Sequence, residues 1–273
     1  MSRRRTIASG VALAAASVLV LTACAGGTSP DPESPASGGE DYGLIQEGVL
    51  TVCSDVPYPP FEDFDDSTES GYTGFDIDLL TAIAEKLDLT IAVQDVSFDA
   101  LQSGTTLVAG TCDIGASAMT ITEERKANID FSDPYYDSLQ SLLVPADSGI
   151  ASIDDLAGKV VGVQQGTTGE AYTTENAPED TEIVRYPSDG ELWPALQAGQ
   201  IDAILQDLPV NVEHVRADDT YTIVEEYDTE ESYGFAFAKD EKPELLEAVN
   251  GALAELREDG TYQEIYDTYF AAE

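Results

Sequence analysis

Positively charged residues are scarce in this sequence. Its 273 residues include 12 lysines and arginines but 53 aspartates and glutamates, which gives a formal net charge of −41 at pH 7. Because phosphate recognition needs clustered cations, this composition argues against a nucleic-acid partner. The acidic excess favours solubility and attracts cations over long range. We interpret it mainly as a solvated acidic surface and not as a specific steering device.

Residues that commonly carry out catalysis are also few. His214 is the only histidine, and it lies in the polar stretch NVEHVRADD. A Ser-His-Asp triad would have to be built on that residue, and nothing near it in the sequence supports one. The chain contains no nucleophile elbow, HExxH, CxxC or P-loop motif. We therefore expect no catalytic residue, no cofactor and no metal site.

Only three cysteines are present, and the first follows a short apolar run near the N-terminus. Basic residues 3–5 precede apolar residues 7–21, a run shorter than the roughly 20 residues that a transmembrane helix needs. A basic start and a short apolar core are typical of an export signal. The stretch LTAC, which ends at Cys24, resembles a bacterial lipobox. We predict that residues 1–23 are a lipoprotein signal peptide. The alternative is plain cleavage after Ala23, with Cys24 an idle thiol.

Lipidation at Cys24 would anchor the protein to the extracytoplasmic face of the cell membrane through acyl chains alone. Residues 24–44 are rich in glycine, serine, proline and acids, so they cannot bury enough apolar surface to fold. This composition predicts a flexible tether. The remaining residues, from 45 to 273, are enough for one large domain or two small ones.

The other two cysteines, Cys53 and Cys112, lie in or at the start of predicted strands. Outside the cytoplasm such a pair can oxidise to a disulfide if the two strands are neighbours. The alternative is two buried thiols that act as small apolar residues. The sequence leaves both possibilities open.

Short apolar strands alternate with amphipathic helices from Leu50 onward. VLTVC, LTIAVQDV and CDIGASAM predict strands, and GFDIDLLTAIAEKL predicts a helix between the first two. The pattern then begins again with the strands GKVVGVQ, TEIVRYP and IDAILQD. Strands separated by helices indicate α/β units with mostly parallel sheets, and the repetition indicates two similar halves. The C-terminal segment from Pro243 predicts helices, with Gly260 ending the first of them.

Three segments at the predicted ends of strands carry the candidate binding groups, because α/β sheets place their ligands there. SDVPYPPFED is a proline-rich bend with Asp55, Tyr58 and Phe61. In ASAMTITEER, Thr120 and Glu123 are spaced as a capping box ahead of Arg125. GVQQGTTGEAY is a glycine-bounded turn into a helix. Free N–H groups at a helix start beside a guanidinium suit a carboxylate.

Seven segments together resemble the polar amino-acid-binding family of extracytoplasmic solute-binding proteins, which supply ABC importers. In chain order they are SDVPYPPFE, GYTGFDIDLLTAIAEKL, FDAL, ASAMTITEERKANIDFSDPYY, GKVVGVQQGTTGEAY, IDAILQD and YGFAFAKDEKPELLEAVNGALAELREDGTYQEIYDTYF. The match runs from about Leu50 to Phe270. The resemblance implies an α/β fold of two lobes, of the type II periplasmic-binding-protein kind, with a ligand cleft between them.

The same resemblance implies where the lobes divide. Lobe 1 would comprise residues 45–142 and 236–273, and lobe 2 residues 143–235. Two hinge strands would cross near 142–146 and 233–238, and the C-terminal helices would return to lobe 1. The implied partners are the permease subunits of an ABC transporter, and we expect a monomer.

Residue by residue, the family's motifs assign a binding site. Arg125 of the T-I-T-x-x-R motif would bind the α-carboxylate of the ligand, and Asp207 its α-ammonium group. Tyr58 and Phe98 would sandwich the ligand's side chain. The remaining positions are donors, acceptors and side-chain contacts: Asp55, Ser117, Ala118, Thr120, Gln164 and Thr168. Ala118 stands where close relatives carry a serine, which removes one hydroxyl contact.

Charge balance in that site predicts the class of ligand. Arg125 and Asp207 match the two charges of an amino acid, so Asp55 is a surplus negative charge. It would favour a side chain that ends in an amide, an ammonium or a guanidinium group, that is, glutamine or a basic amino acid. The alternatives are a periplasmic dehydratase-like enzyme, which would need an additional acid or base, and a sensor module, which would need a transmembrane helix.

Overall fold

The computed structural model describes residues 41–271 of the chain. The predicted signal peptide, Cys24 and the tether up to residue 40 lie outside the described residues. Within residues 41–271, no helix has the length and apolar character that crossing a bilayer requires.

Twelve strands and nine α-helices make up the described part of the chain. The strands are β1 (Val49–Ser54), β2 (Asp63–Phe64), β3 (Tyr72–Thr73), β4 (Thr90–Asp95), β5 (Ile114–Gly115), β6 (Ile129–Phe131), β7 (Tyr136–Pro145), β8 (Val160–Gln164), β9 (Glu182–Tyr186), β10 (Ala203–Asp207), β11 (Tyr221–Tyr233) and β12 (Ala236–Ala238). The helices are α1 (Phe75–Lys86), α2 (Phe98–Gln102), α3 (Thr105–Val108), α4 (Glu123–Lys126), α5 (Thr168–Asn176), α6 (Asp189–Gln197), α7 (Leu208–Ala217), α8 (Pro243–Asp259) and α9 (Thr261–Phe270). A 3₁₀ turn covers Ile153–Leu156.

Ten of these strands form two five-stranded sheets with the same arrangement, and β2 and β3 pair as a small two-stranded sheet. The first has the order β4-β1-β5-β12-β6 and the second the order β11-β7-β10-β8-β9. In the first sheet β12 runs antiparallel to both of its neighbours, and in the second β7 does. Each sheet therefore has four strands in one direction and one against them, which agrees with the predicted two-lobed α/β fold.

The chain passes between the two sheets twice. The first passage joins β6 to β7 through residues 132–135, and the second joins β11 to β12 through residues 234–235. The first crossing lies before the 142–146 that we predicted, because Tyr136 at the start of β7 packs on the core of the first lobe and Leu142 lies in the core of the second sheet. The long pairing of β7 with β11 places the two connections side by side. On β11, Tyr227 lies in the core of the second sheet and Tyr233 in that of the first lobe, so the second crossing begins before the 233–238 that we predicted.

The C-terminal helices pack on the first sheet. Leu245, Val249, Leu253 and Leu256 of α8 are buried in one cluster with apolar residues of α1 and β1. Pro243 occupies the first turn of α8, and Gly260 ends the helix with a φ of 92°, a left-handed conformation that glycine adopts at low cost. The end of the chain therefore belongs to the first lobe, next to residues 49–131.

Cys53 and Cys112 are bonded to each other in the structure, with their Cα atoms 5.7 Å apart. Cys53 lies on β1, and Cys112 lies two residues before β5, the strand that pairs with β1. Both side chains are buried in a small apolar cluster with Leu101 and Ile129. The bond closes a loop of residues 53–112, which includes α1, β4, α2 and α3, and links β1 to the segment that leads into its neighbour β5.

We expect the double variant Cys53→Ala/Cys112→Ala to lose about 2–4 kcal/mol of unfolding free energy, because the unfolded chain is no longer constrained by the cross-link. Chemical denaturation followed by circular dichroism measures this. Dithiothreitol should lower the midpoint of the wild type and leave that of the variant unchanged. Equal midpoints for the two proteins without reductant would show that the bond does not form.

Candidate functional site

One pocket between the two sheets gathers all ten of the residues predicted to bind a ligand. They and Thr167 line a pocket of about 280 Å³, a volume that includes space open to solvent. The predicted residues are Asp55, Tyr58, Phe98, Ser117, Ala118, Thr120, Arg125, Gln164, Thr168 and Asp207. Gln164 and Asp207 end β8 and β10, Asp55 directly follows β1, and the 117–120 segment lies within five residues of the end of β5. The pocket therefore lies at the carboxyl ends of the strands, as expected for an α/β protein.

Arg125 is a buried cation in the wall of this pocket, with 5% of its surface exposed. Its Nη1 donates to the carbonyl of Thr120 at 2.8 Å, and its Nη2 donates to the carbonyl of Gly166 at 2.9 Å. The guanidinium carbon lies 5.2 Å from the centre of the Phe98 ring. None of the salt bridges within residues 41–271 involves Arg125.

The helix that carries Arg125 begins differently from the prediction. Thr122, not Thr120, is the N-cap, and its hydroxyl accepts from the backbone N–H of Arg125 at 3.2 Å. The predicted capping box is wrong because Thr120 is drawn into a bridge with Tyr233. Its hydroxyl donates instead to Glu231 at 2.7 Å. Arg125 therefore sits in the first turn of α4, with its backbone held by Thr122.

Asp207 is the acid that the second lobe presents to the pocket. It is the last residue of β10, and its side chain does not cap the helix that follows. Its Oδ2 accepts from the hydroxyl of Tyr58 at 2.9 Å, and its Oδ1 accepts from the amide of Gln140. Burial raises its pKa to about 7, with a further contribution from the nearby charge of Glu231. A cation that enters the pocket would therefore stabilise the ionised form of this carboxyl group.

Asp55 is a second buried acid, on the first lobe. Gln164 of the opposite lobe donates to its Oδ2 at 2.5 Å. Burial raises its pKa to about 7 despite that hydrogen bond, and the negative charge of Asp95 adds to the effect. Burial lowers the pKa of Arg125 to about 10, and attraction to Asp207 and Glu231 partly offsets this. The pocket is thus lined by one guanidinium and two carboxyl groups, and burial desolvates all three.

The contacts that cross between the lobes show a closed cleft. They are Tyr58 with Asp207, Gln164 with Asp55, and Arg125 with the carbonyl of Gly166. At the rim, Gln165 donates to Asp99 at 3.1 Å. Each pair joins a residue next to the first sheet to one next to the second. Separation of the lobes would therefore break contacts at the centre of the pocket and at its edge.

Four acids and amides around the pocket were missed by the sequence analysis. Glu231 and Gln140 lie on β11 and β7, and both are buried. Glu62 accepts from the hydroxyl of Ser117 at 2.6 Å, and Asp76 accepts from the backbone N–H of Ala118 at 2.9 Å. Glu62 and Asp76 hold the 117–118 segment from behind. They occur inside quoted motifs, but only the fold brings them under the pocket.

His214, the only histidine, does not line this pocket. Its Nε2 lies 2.9 Å from Asp189 Oδ1, and its ring stacks on Trp193 with the centroids 4.3 Å apart. Gln206 also donates to Asp189, at 3.0 Å. His214 therefore belongs to a buried network of the second lobe that includes Gln206, the residue before Asp207.

Burial of Asp55 predicts a pH-dependent cost to the ligand-free protein. Because burial raises the pKa of Asp55 from 3.8 to about 7, proton binding by this carboxyl group favours the folded protein. That stabilisation is complete below pH 4 and is lost as the pH rises through 7. Asp55→Asn removes that cost and can still accept from Gln164. We expect this substitution to stabilise the folded protein, relative to wild type, by about 2 kcal/mol more at pH 8 than at pH 5.

Denaturant titration of the ligand-free proteins at both pH values measures this difference. Asp66→Asn, at an exposed loop position, is the matched control and should show no pH-dependent gain. A gain in Asp55→Asn of the same size at both pH values would contradict the interpretation.

Comparisons with known proteins give similarities that extend over most of the chain. Residues 50–272 match the family described as bacterial extracellular solute-binding proteins, family 3. A probable histidine-binding protein of Neisseria gonorrhoeae is 32% identical, over 100% of this chain and 98% of its own length.

Two solved structures are similar over most of the described chain. An ancestral arginine-binding protein bound to arginine is 37% identical with a TM-score of 0.75, and covers 82% of this chain and 99% of its own. An ancestral arginine-binding protein bound to glutamine is 36% identical with a TM-score of 0.76, and covers 83% of this chain and 100% of its own.

Proposed function

The chain belongs to family 3 of the bacterial extracellular solute-binding proteins, and on that premise we propose that it binds a polar amino acid in its cleft and delivers it to an ABC-type importer. The observation that carries the proposal is the pairing of opposite charges across one pocket. Arg125 comes from the first lobe and Asp207 from the second, and both are buried.

The two ends of an amino acid need opposite partners, because burial of an unmatched charge is costly. We assign the α-carboxylate to Arg125, whose guanidinium has no carboxylate partner within residues 41–271. We assign the α-ammonium group to Asp207, with the 117–118 segment and Thr120 beside it. Thr168, at the start of α5, would offer its backbone N–H to the carboxylate.

The ligand's side chain would extend towards Asp55 and Gln164, between Tyr58 and Phe98. Asp55 adds a negative charge to a pocket that already contains Asp207, and Glu231 lies close behind. The single positive charge of Arg125 cannot neutralise these three acids and the carboxylate of a ligand together. We therefore place the basic amino acids, arginine and lysine, ahead of glutamine, and glutamine ahead of glutamate and the aliphatic residues. The arginine and glutamine complexes of similar proteins support the same group of ligands.

Transport by a membrane-anchored carrier completes the proposal. A cleft that closes on its ligand presents loaded and empty forms that a permease can distinguish. We propose that Cys24 carries the lipid anchor, that the pair of lobes acts as a monomer, and that the protein releases its ligand unchanged. Incubation of the protein with candidate amino acids, followed by mass spectrometry, would reveal any product of a dehydratase-like activity.

Calorimetry with a panel of amino acids at pH 8 tests the ligand class. We expect arginine and lysine to bind at micromolar or lower concentrations, and glutamine about tenfold or more weakly. Asp55→Asn should narrow the gap between arginine and glutamine, because it removes the charge that selects a cation. Tightest binding of glutamate or leucine would contradict the proposed specificity, and no binding of any amino acid would contradict the function.

Arg125→Ala should lower the affinity for the preferred ligand by about a hundredfold or more, because it leaves a buried carboxylate without a charged partner. Arg125→Lys keeps the charge but loses the forked donor, so an intermediate loss is expected. Circular dichroism and the melting temperature establish that each variant is folded. An affinity of Arg125→Ala within about threefold of wild type would remove this residue from the carboxylate site.

A further inference from the structure

Glu231 is a buried carboxylate at the hinge, with 7% of its surface exposed. It lies on β11, two residues before that strand ends, and pairs with Ser138 of β7. The pairing of the two strands shifts register between Tyr227 and Glu231, and Glu230 has a φ of 55°. Such a bulge redirects the side chains that follow it. Here the redirected side chain is a carboxylate that faces residues of both lobes.

One oxygen of Glu231 joins the two lobes directly. Its Oε2 accepts from the hydroxyl of Thr120 at 2.7 Å and from the hydroxyl of Thr168 at 2.8 Å. Thr120 follows β5 in the first lobe, and Thr168 begins α5 in the second. The other oxygen, Oε1, accepts from the hydroxyl of Thr229 on the same strand at 2.8 Å.

A third connection leads from Glu231 to the acid that the second lobe presents to the pocket. The amide of Gln140, on β7, lies 3.3 Å from both oxygens of Glu231 and donates to Asp207. The hinge strands therefore connect the proposed ammonium site to the two threonines. Glu231 itself is not among the described residues that line the pocket. Glu231 therefore acts on a ligand through its hydrogen-bonded neighbours and through its charge, not through direct contact.

We propose that Glu231 is a positioning residue that couples ligand binding to closure of the cleft. Its bridge to Thr120 and Thr168 exists only when the lobes are together, so it stabilises the closed arrangement. It also directs both hydroxyl hydrogens away from the pocket, which leaves the backbone N–H groups and Arg125 as donors to a ligand carboxylate. This inference rests on the proposed function of the cleft.

The energetic consequence follows from the equilibrium between open and closed forms. For a ligand that needs both lobes, the apparent dissociation constant equals the intrinsic constant divided by the closed fraction. A smaller closed fraction therefore raises the apparent constant and weakens binding. Loss of Glu231 should also speed ligand release, because the bound complex opens more readily. A residue in direct contact with the ligand would not require the threonines for its effect.

A double-mutant cycle separates these two roles. Glu231→Ala should weaken binding of arginine by about tenfold in the wild type. In the background Thr120→Val/Thr168→Val, which lacks the hydroxyls but keeps the shape, the same substitution should cost less than about threefold. Glu231→Gln, which keeps an acceptor oxygen, should lie between wild type and Glu231→Ala. Glu226→Ala, exposed on the same strand, is the matched control and should bind as wild type does.

Closure can be measured without any ligand, by energy transfer between dyes placed at exposed Glu85 on α1 and Glu175 on α5. Glu231→Ala should shift the ligand-free population towards the longer dye distance. If no amino acid binds the wild type, the proposed function fails, and this distance distribution still tests the bridge. An equal loss of affinity in both backgrounds, or an unchanged ligand-free distribution, would overturn the role assigned to Glu231.

Discussion

One electrostatic imbalance governs the site: in the described part of the chain, a single buried guanidinium lies near several buried carboxyl groups. Arg125 is held by one carbonyl from each lobe and by the face of Phe98, without a carboxylate partner in the described chain. Asp55 and Asp207 are desolvated to the point that burial raises the pKa of each to about 7. The buried guanidinium and carboxyl groups lower the stability of the protein when the cleft is empty, and opposite charges on a ligand offset that loss. The site therefore favours a ligand that carries both a positive and a negative charge.

The fold produces this imbalance by placing strand ends opposite each other. The two sheets have the same arrangement, and β1, β5, β8 and β10 all direct their carboxyl ends into the space between them. In each sheet the reversed strand, β7 or β12, comes directly after a passage between the lobes. The pairing of β7 with β11 holds the two connections next to each other. The disulfide and the C-terminal helices stabilise the first lobe alone. The hinge, where Glu231 lies, is the segment that would bend if the lobes separate.

Prediction from sequence was most successful where a local pattern carried the information. Period and composition placed the strands around Cys53, Gln164 and Asp207, because each is a short apolar run followed by a polar turn. The prediction was wrong at Thr120, since a capping box describes a helix start in isolation and a bridge to Tyr233 decides the conformation here. Gln140 and Glu231 have no local signature, because their role depends on which strands lie beside the cleft.

The sequence by itself determined the α/β class, the family and the residue types that could match an amino acid's two charges, because these depend on periodicity and on motifs a few residues long. Only the tertiary structure decided that Arg125 and Asp207, far apart in the chain, line the same pocket. It also decided that Glu231 bridges two threonines, one from each lobe. Such contacts arise from the packing of separate sheets, and no rule of sequence spacing describes that packing.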